Sequence, residues 1–244
     1  HGLEQQLPYR QPLVRGKVQL VPQCHDYHGK ITVEFRIGIT HLYVLKDINE
    51  FVRLMDKHEY KSYGAKLGFY HHISAFEESS QSLVHFLMDI IKSFQTTGGL
   101  NAYQYYSRND VKREIPLAAG NLDRFMQIML QQENPLGLDT QDTSSAYYEI
   151  KDGEPRPLLH ITGVPAGIRI STTPLAMTEG ASCQYIYDHA NHIIYRNRLE
   201  DIAQIRSFRR YMNDQGGQNI FIAERELPLF CRDLLPFLEQ HYEM

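Results

Sequence analysis

Hydrophobic and polar positions alternate most clearly near the start of the chain. Apolar side chains occupy every second position over 31–39, with mostly polar residues between them, and this period of two predicts a half-buried strand. Residues 18–27 form its predicted partner, because Asp-Tyr-His-Gly at 26–29 suits a chain reversal. Residues 42–45 predict a third strand. The chain therefore opens with a small antiparallel sheet.

A change to a period of three to four residues predicts helices further along. Asp47 is followed by Glu50 at the spacing of a helix cap, and Ser74 is followed by Glu77 in the same way. The second pair predicts the start of the longest helix. The predicted helices cover about 47–58, 74–97, 200–214 and the region around 234–238, and the Gly98-Gly99 and Gly216-Gly217 pairs end the second and third of them.

Short strands and strand-to-helix successions fill the rest of the chain. Further strands are predicted over 66–70, 103–106, 114–117, 147–151, 158–162, 167–172, 184–187, 192–195 and 219–222. A strand residue is followed by apolar residues five and eight positions later at Tyr43/Ile48/Phe51, Leu117/Leu122/Phe125, Ile194/Leu199/Ile202 and Ile222/Leu227/Phe230. We therefore predict an α+β protein with a mainly antiparallel sheet and several short strand-to-helix units.

The composition of one segment suggests where the chain divides. Residues 134–145 are rich in Asn, Pro, Gly, Asp, Thr and Ser, which predicts a loop or linker. We accordingly expect a poorly defined segment over 1–16, an α+β subdomain over 17–133 and a second α+β subdomain over 146–244.

Charge and composition exclude several classes of function. The 244 residues carry 25 Lys and Arg against 29 Asp and Glu, so there is no chain-wide positive charge to attract nucleic acid. Charged residues interrupt every apolar run, and neither a membrane-spanning helix nor a signal peptide is predicted. Three scattered cysteines suggest neither a disulfide framework nor a zinc knuckle. A cytoplasmic location without membrane contact is the expectation.

The sequence predicts no catalytic residues and no metal ligands. It contains neither a phosphate-binding GxxxxGK[ST] loop nor a GxSxG nucleophile motif. Asp188, His189 and His192 are close together, but at a predicted hairpin tip, where such residues are common in turns. His71 and His72 are adjacent and would point to opposite faces of a strand. His25 and His28 flank a predicted turn and have no Cys or carboxylate at zinc-finger spacing except Cys24.

A cluster of arginines is the best candidate for contact with nucleic acid or a protein partner. Its members are Arg196, Arg198, Arg206, Arg209 and Arg210. On a helix over 200–214, the last three would share the face opposite the apolar side chains and could meet phosphates. A solvated helix face is the alternative. Tyr103, Tyr105 and Tyr106, near basic residues, are a second candidate, with packed strand tyrosines as the alternative.

Several strings resemble the N-terminal helicase-associated region of bacterial Swi/Snf-family helicases. They are residues 31–54, 63–67, Ile115-Pro116-Leu117 with Leu122-Asp123-Arg124-Phe125, and Glu226-Leu227 with Phe230 and 234–238. The resemblance extends over about 17–244. It implies a non-catalytic accessory domain that regulates or contacts a DNA-dependent ATPase motor of the same polypeptide.

The resemblance also implies where cofactors and partners belong. ATP and Mg²⁺ are expected only in the motor, which this chain does not contain, and no cofactor is expected here. DNA is a possible second partner, a bacterial cytoplasmic or nucleoid-associated setting is implied, and the oligomeric state stays open. Two alternatives remain, a protein-interaction scaffold without a nucleic-acid role and a small hydrolase or metal enzyme built on dispersed residues.

Overall fold

The chain forms two compact units that interleave along the sequence. The computed structural model describes residues 16–27, 30–96, 112–117, 119–132, 134–140, 145–214 and 220–244. The first unit comprises the chain up to Leu117 with Leu136–Ser145, and the second comprises Ala118–Pro135 with Ala146–Met244. Both combine helices with mainly antiparallel strand pairs. The predicted α+β class is confirmed.

The first unit is built on a mixed sheet whose centre is an antiparallel hairpin. Its strands are β1 (Gln19–Tyr27), β2 (Lys30–Gly38), β3 (Leu42–Val44), β4 (Tyr60–Gly64), β5 (Leu67–Tyr70), β6 (Glu114–Leu117) and β7 (Leu136–Thr140). β1 pairs with β2 along its whole length and lies parallel to β7 on its other side. β3 and β6 both pair with β2, and β4 and β5 form a separate hairpin.

The strand over 31–39 is more deeply buried than its alternation predicts. Apolar residues of β2 face the core as expected, but Thr32 and Glu34 are also buried, at 8% and 3% exposure. The prediction of a half-buried strand is therefore wrong. Partners across the sheet satisfy these polar side chains, as Thr32 donates a hydrogen bond to Glu114 and Arg113 donates to Glu34.

Two helices, α1 (Ile48–Lys57) and α2 (Glu78–Thr96), pack on this unit. Asp47 accepts a hydrogen bond from the backbone N–H of Glu50 over 2.9 Å, so the predicted cap of α1 is confirmed. α2 begins later than Ser74, which lies in a 3₁₀ turn over Ile73–Ala75. The prediction of Ser74 as its cap is wrong, because the Ser74 side chain interacts with the imidazole of His72 instead.

The second unit contains two sheets. Its helices are α3 (Gly120–Leu130), α4 (Ala203–Asp214), α5 (Leu227–Leu229) and α6 (Leu235–His241), with a π-helical turn over Phe230–Leu234. Its strands are β8 (Ala146–Asp152), β9 (Leu159–Val164), β10 (Gly167–Thr172), β11 (Ala176–Glu179), β12 (Cys183–Asp188), β13 (Ile193–Arg198) and β14 (Ile220–Ala223).

Strand order in the second unit differs in one respect from the expectation. The hairpin of β12 and β13 is confirmed, and β9 and β10 pair antiparallel, in line with the predicted mainly antiparallel sheet. β8, however, runs parallel to β13. The second sheet has the strand order β14, β10, β9. Residues of α4 and α6 contribute to the core against it, which includes Leu159, Ile170, Ile202, Ile205 and Leu238.

The segment 134–145 is not all loop, because β7 occupies part of it. Backbone pairing of β7 with β1 overrides the loop-like local composition. All four predicted strand-to-helix successions are present: β3 to α1, β6 to α3, β13 to α4 and β14 to α5. β6 and α3 belong to different units. No described helix is both long and apolar enough to span a membrane.

Candidate functional site

Helix α4 and the end of β13 carry the arginines that the sequence singled out. Buried side chains recur on α4 at three- and four-residue steps, which fixes one side of the helix against the core. Arg206 and Arg210 lie one turn apart on a more exposed side. Arg196 and Arg198 are two residues apart on β13, just before the helix begins. All five arginines of the predicted cluster thus lie in the second unit.

Glu179, on β11, binds two of these arginines at once. Arg206 Nε donates to Glu179 Oε1 over 3.0 Å, and Arg206 Nη2 donates to Oε2. Arg210 Nη2 donates to both oxygens, each over 3.0 Å. The hydrogen bonds from Arg206, with the positive charges of Arg206 and Arg210, hold the pKa of the Glu179 carboxyl below its usual value. One positive charge of the pair stays uncompensated by this carboxylate.

The two arginines of β13 differ in exposure. Arg196 has a side chain that is only 13% exposed, because its Nε donates to Asp152 Oδ1 over 2.7 Å and its Nη1 bonds to Gln127. Arg198 is 66% exposed and lies 3.7 Å from Glu200. An exposed ion pair at this distance contributes little stabilising energy. Arg198 is therefore available to a partner, whereas Arg196 has a structural role.

Arg209 does not lie on the surface, and its predicted place among the exposed arginines is wrong. Its side chain is 0% exposed, and its Nη2 donates to Glu154 Oε2 over 2.9 Å. The helical period places Arg209 on the same side of α4 as Ile205 and Met212, which are also buried. The partner carboxylate comes from a distant loop, and the local pattern could not reveal it.

A groove runs beside the exposed arginines. It has a volume of about 340 Å³ and is lined by residues that include Leu199, Ala203, Arg206, Arg210 and Tyr211. Tyr211 is 51% exposed. A second hollow of about 440 Å³ shares Leu199 with it and includes Arg198. We define the α4 surface as Arg198, Arg206, Arg210 and Tyr211. These side chains present three guanidinium groups and an aromatic ring to a partner.

The hairpin tip at Asp188, His189 and His192 is held by its own turn. Asp188 accepts hydrogen bonds from the backbone and side-chain N–H groups of Asn191, at 3.0 and 2.8 Å. The Tyr148 hydroxyl is 2.8 Å from Nδ1 of His189. His192 has a φ of 54°, in the left-handed region that turns require. These contacts agree with the predicted polar turn.

The tyrosine cluster at 103, 105 and 106 lies outside the described residues, but a nearby basic residue is described. Arg113 bonds to the buried carboxylate of Glu34. The same region holds a group of side chains that the sequence did not reveal. The group consists of His25, Glu34 and Glu114, whose potential metal-donor atoms all lie within 4.8 Å of one another. Among the described residues, no other three His, Cys, Asp or Glu side chains come together in this way.

Carboxylates lie close to His25 in the structure, although none stands at zinc-finger spacing from it in the sequence. They come from strands that pair with β1 and β2, at positions far apart in the sequence. The local pattern carried no signal of this group, because Thr32 and Glu34 occupy the polar positions of an alternating strand. Buried polar residues in a central strand need partners on neighbouring strands.

Comparison with known proteins adds no family assignment. No family model, no curated protein and no solved structure matches this chain. The resemblance to the helicase-associated region therefore rests on the residues quoted above.

Proposed function

We propose that this chain is a non-catalytic accessory domain of a bacterial Swi/Snf-type DNA-dependent ATPase, and that its α4 surface contacts the phosphate backbone of DNA. The ATPase motor of the same polypeptide is then its first partner, ATP and Mg²⁺ belong to that motor, and the setting is the bacterial cytoplasm. The DNA contact is supported by one observation above all: Arg206 and Arg210 share the single carboxylate of Glu179.

This shared carboxylate offsets only one of the two guanidinium charges, although Asp214 also lines the groove and Glu200 lies 3.7 Å from Arg198. Both hydrogen bonds that Arg210 donates to Glu179 come from Nη2, which leaves the donors on its Nε and Nη1 for a ligand. The side chain of Arg210 is 59% exposed. A guanidinium held in place by a carboxylate loses less conformational entropy when it binds a phosphate. Arg198 extends the same surface.

The test is DNA binding by the purified 244-residue chain, followed by fluorescence anisotropy of a labelled duplex during a salt titration. We expect binding at low salt that weakens as salt rises. The double variant Arg206→Ala/Arg210→Ala should reduce the slope of log affinity against log salt by about two if each arginine neutralises one phosphate. No DNA binding at low salt would refute the contact.

A control of equal charge change separates a specific surface from a general loss of charge. Arg169 and Arg225 are exposed residues away from α4. The double variant Arg169→Ala/Arg225→Ala lowers the net charge by the same amount and should keep the salt slope of the unmodified chain. Equal effects of the two double variants would contradict a role for the α4 surface.

A protein partner is the second candidate, and the exposed ring of Tyr211 favours it. Tyr211 borders an open groove with apolar residues such as Leu199 and Ala203, and aromatic residues are enriched at protein interfaces. Under this alternative the α4 surface binds the ATPase motor. Capture by the isolated motor that is independent of DNA and lost in Tyr211→Ser would favour it over DNA contact.

A further inference from the structure

Three strands of the first unit bring a histidine and two glutamates together. Glu34 on β2 and Glu114 on β6 are directly opposite each other in the antiparallel register. His25 on β1 is opposite Thr32 of β2, and the Thr32 hydroxyl donates to Glu114 over 2.8 Å. The donor atoms of the histidine and the two glutamates lie within 4.8 Å of one another.

The imidazole of His25 is held with one nitrogen directed at this group. Its Nδ1 lies 3.1 Å from Asp139 Oδ2, and Gln23 Nε2 donates to the other oxygen of Asp139 over 3.1 Å. A carboxylate that accepts from Nδ1 places the proton there and leaves a lone pair on Nε2. Nε2 is buried, has no hydrogen-bond partner among the residues that the structure describes, and lies 3.9 Å from Glu34 Oε1.

The two glutamates add negative charge that the described residues only partly compensate. The Glu34 side chain is 4% exposed, and Arg113 Nε and Nη2 both bond to its Oε2, at 2.9 and 2.8 Å. This arrangement leaves Glu34 Oε1 on the side of His25. Like charges directly opposite each other in a sheet are destabilising. Glu34, Glu114 and Asp139 together carry three negative charges beside one guanidinium.

We propose that His25, Glu34 and Glu114 bind one divalent transition-metal ion, with Zn²⁺ as the ion that the donors fit best. One imidazole nitrogen and two carboxylate oxygens form a borderline donor set that suits Zn²⁺ better than Ca²⁺ or Mg²⁺, which prefer oxygen alone. Asp139 serves as the positioning residue for His25, as carboxylates behind metal-binding histidines commonly do. The ion would join β1, β2 and β6.

The geometry is compatible with this ion after small side-chain rotations. Tetrahedral zinc with bonds of about 2.0–2.2 Å holds its donor atoms about 3.5 Å apart, against the 3.9 Å between His25 Nε2 and Glu34 Oε1. Three protein donors leave a fourth position for water. The bound ion would supply the missing partner of Nε2 and offset the repulsion between the glutamates.

The test is calorimetric titration of the EDTA-treated full chain with ZnCl₂, with Co²⁺ absorption as a second probe of coordination. We expect one equivalent to bind at this site and the thermal unfolding midpoint to rise with Zn²⁺. Glu114→Gln keeps the side-chain shape and removes the charged donor, and it should weaken binding by about tenfold or more. Asp139→Asn should weaken it by about 10–100-fold.

Control variants distinguish this site from adventitious binding by other histidines. His192→Gln, at the exposed hairpin tip, and Glu149→Gln, with a side chain that is 65% exposed, should both bind Zn²⁺ as the unmodified chain does. Circular dichroism establishes that each variant is folded. The proposal is overturned if the folded chain binds no equivalent of Zn²⁺, or if Glu114→Gln and Asp139→Asn both leave its affinity unchanged.

Discussion

Arg209 donates a hydrogen bond from Nη2 to Glu154 Oε2 over 2.9 Å, and its side chain has no exposure to solvent. His241 Nδ1, at the end of α6, lies 2.9 Å from the same Glu154 oxygen. Glu154 is a loop residue, and its carboxylate therefore connects α4 with α6 in the second unit. This ion pair is a structural element of the core, in contrast to the neighbouring Arg210, whose side chain is 59% exposed.

Loss of Arg209 should destabilise the second unit strongly. Arg209→Ala removes a buried guanidinium, leaves a cavity and leaves Glu154 with one partner fewer, and we expect its free energy of unfolding to fall by about 3–5 kcal/mol. Urea denaturation measures the change. Arg210→Ala, on the surface, should cost less than about 1 kcal/mol. Equal losses in the two variants would contradict the structural role of Arg209.

The pH dependence of stability should report on buried His71. Its Nδ1 donates to the Glu59 carbonyl over 2.9 Å, and Nε2 accepts from the Tyr63 hydroxyl over 2.7 Å. This hydrogen-bonding pattern fits the neutral imidazole. Burial is the main reason that the pKa of His71 is lower than that of an ordinary histidine. The unfolded chain therefore binds the proton first as pH falls.

The sign of the effect follows from that order. The contribution of His71 is fully present above the usual histidine pKa of about 6.5 and is lost as pH falls below it, towards the lower pKa of the folded state. We expect unfolding free energies measured between neutral and mildly acidic pH to fall less in His71→Leu than in the unmodified chain. His160→Leu, at an exposed position, provides the control. Identical slopes in all three proteins would refute the assignment.

Removal of the carboxylate between Arg206 and Arg210 should strengthen DNA binding under the proposed function. Glu179→Gln keeps the shape of the side chain, removes its negative charge and frees both guanidiniums for phosphates. We expect higher affinity at low salt and a steeper salt dependence. Glu200→Gln removes a charge from a weaker pair with Arg198 and should have a smaller effect. Weaker binding by Glu179→Gln would show that holding the two guanidiniums in place matters more for phosphate binding than the negative charge of Glu179.

The cap of α1 should contribute measurably to the stability of the first unit. Asp47→Ala removes the hydrogen bond accepted from the Glu50 N–H and should lower the unfolding free energy by about 1 kcal/mol. Asp47→Ser retains a capping oxygen and should recover most of that loss. An Asp47→Ala protein as stable as Asp47→Ser would show that the cap adds nothing.

Arg113→Met offers a separate test of charge balance at the proposed metal site. The substitution removes the cation beside Glu34, so repulsion between Glu34 and Glu114 should lower the stability of the metal-free chain. Added Zn²⁺ should raise the thermal midpoint of Arg113→Met more than that of the unmodified chain. A loss that Zn²⁺ does not reverse would show that the guanidinium is needed for packing alone.

Features that depend on neighbours in the sequence were predicted well. The β1–β2 and β12–β13 hairpins, the Asp47 cap and the strand-to-helix successions all follow from side-chain period, turn residues and capping. The predicted Ser74 cap failed for a local reason, because Ser74 interacts with His72 two residues earlier. Errors in strand pairing arose where a distant partner overrode a local pattern. β7 forms despite a loop-like composition because β1 offers backbone hydrogen bonds, and β8 runs parallel to β13 although neighbouring strands suggested antiparallel pairing.

The candidate sites divide along the same line. The chain order placed Arg206 and Arg210 on one side of α4, because four residues make about one helical turn. Only folding brought Glu179 to both of them, buried Arg209 against Glu154, and set Glu34, Glu114 and Asp139 around His25. Helical and strand periods act over a few residues and can be recognised locally. Charge pairing and metal coordination depend on which strands and loops become neighbours, and that is settled by the packing of the whole unit.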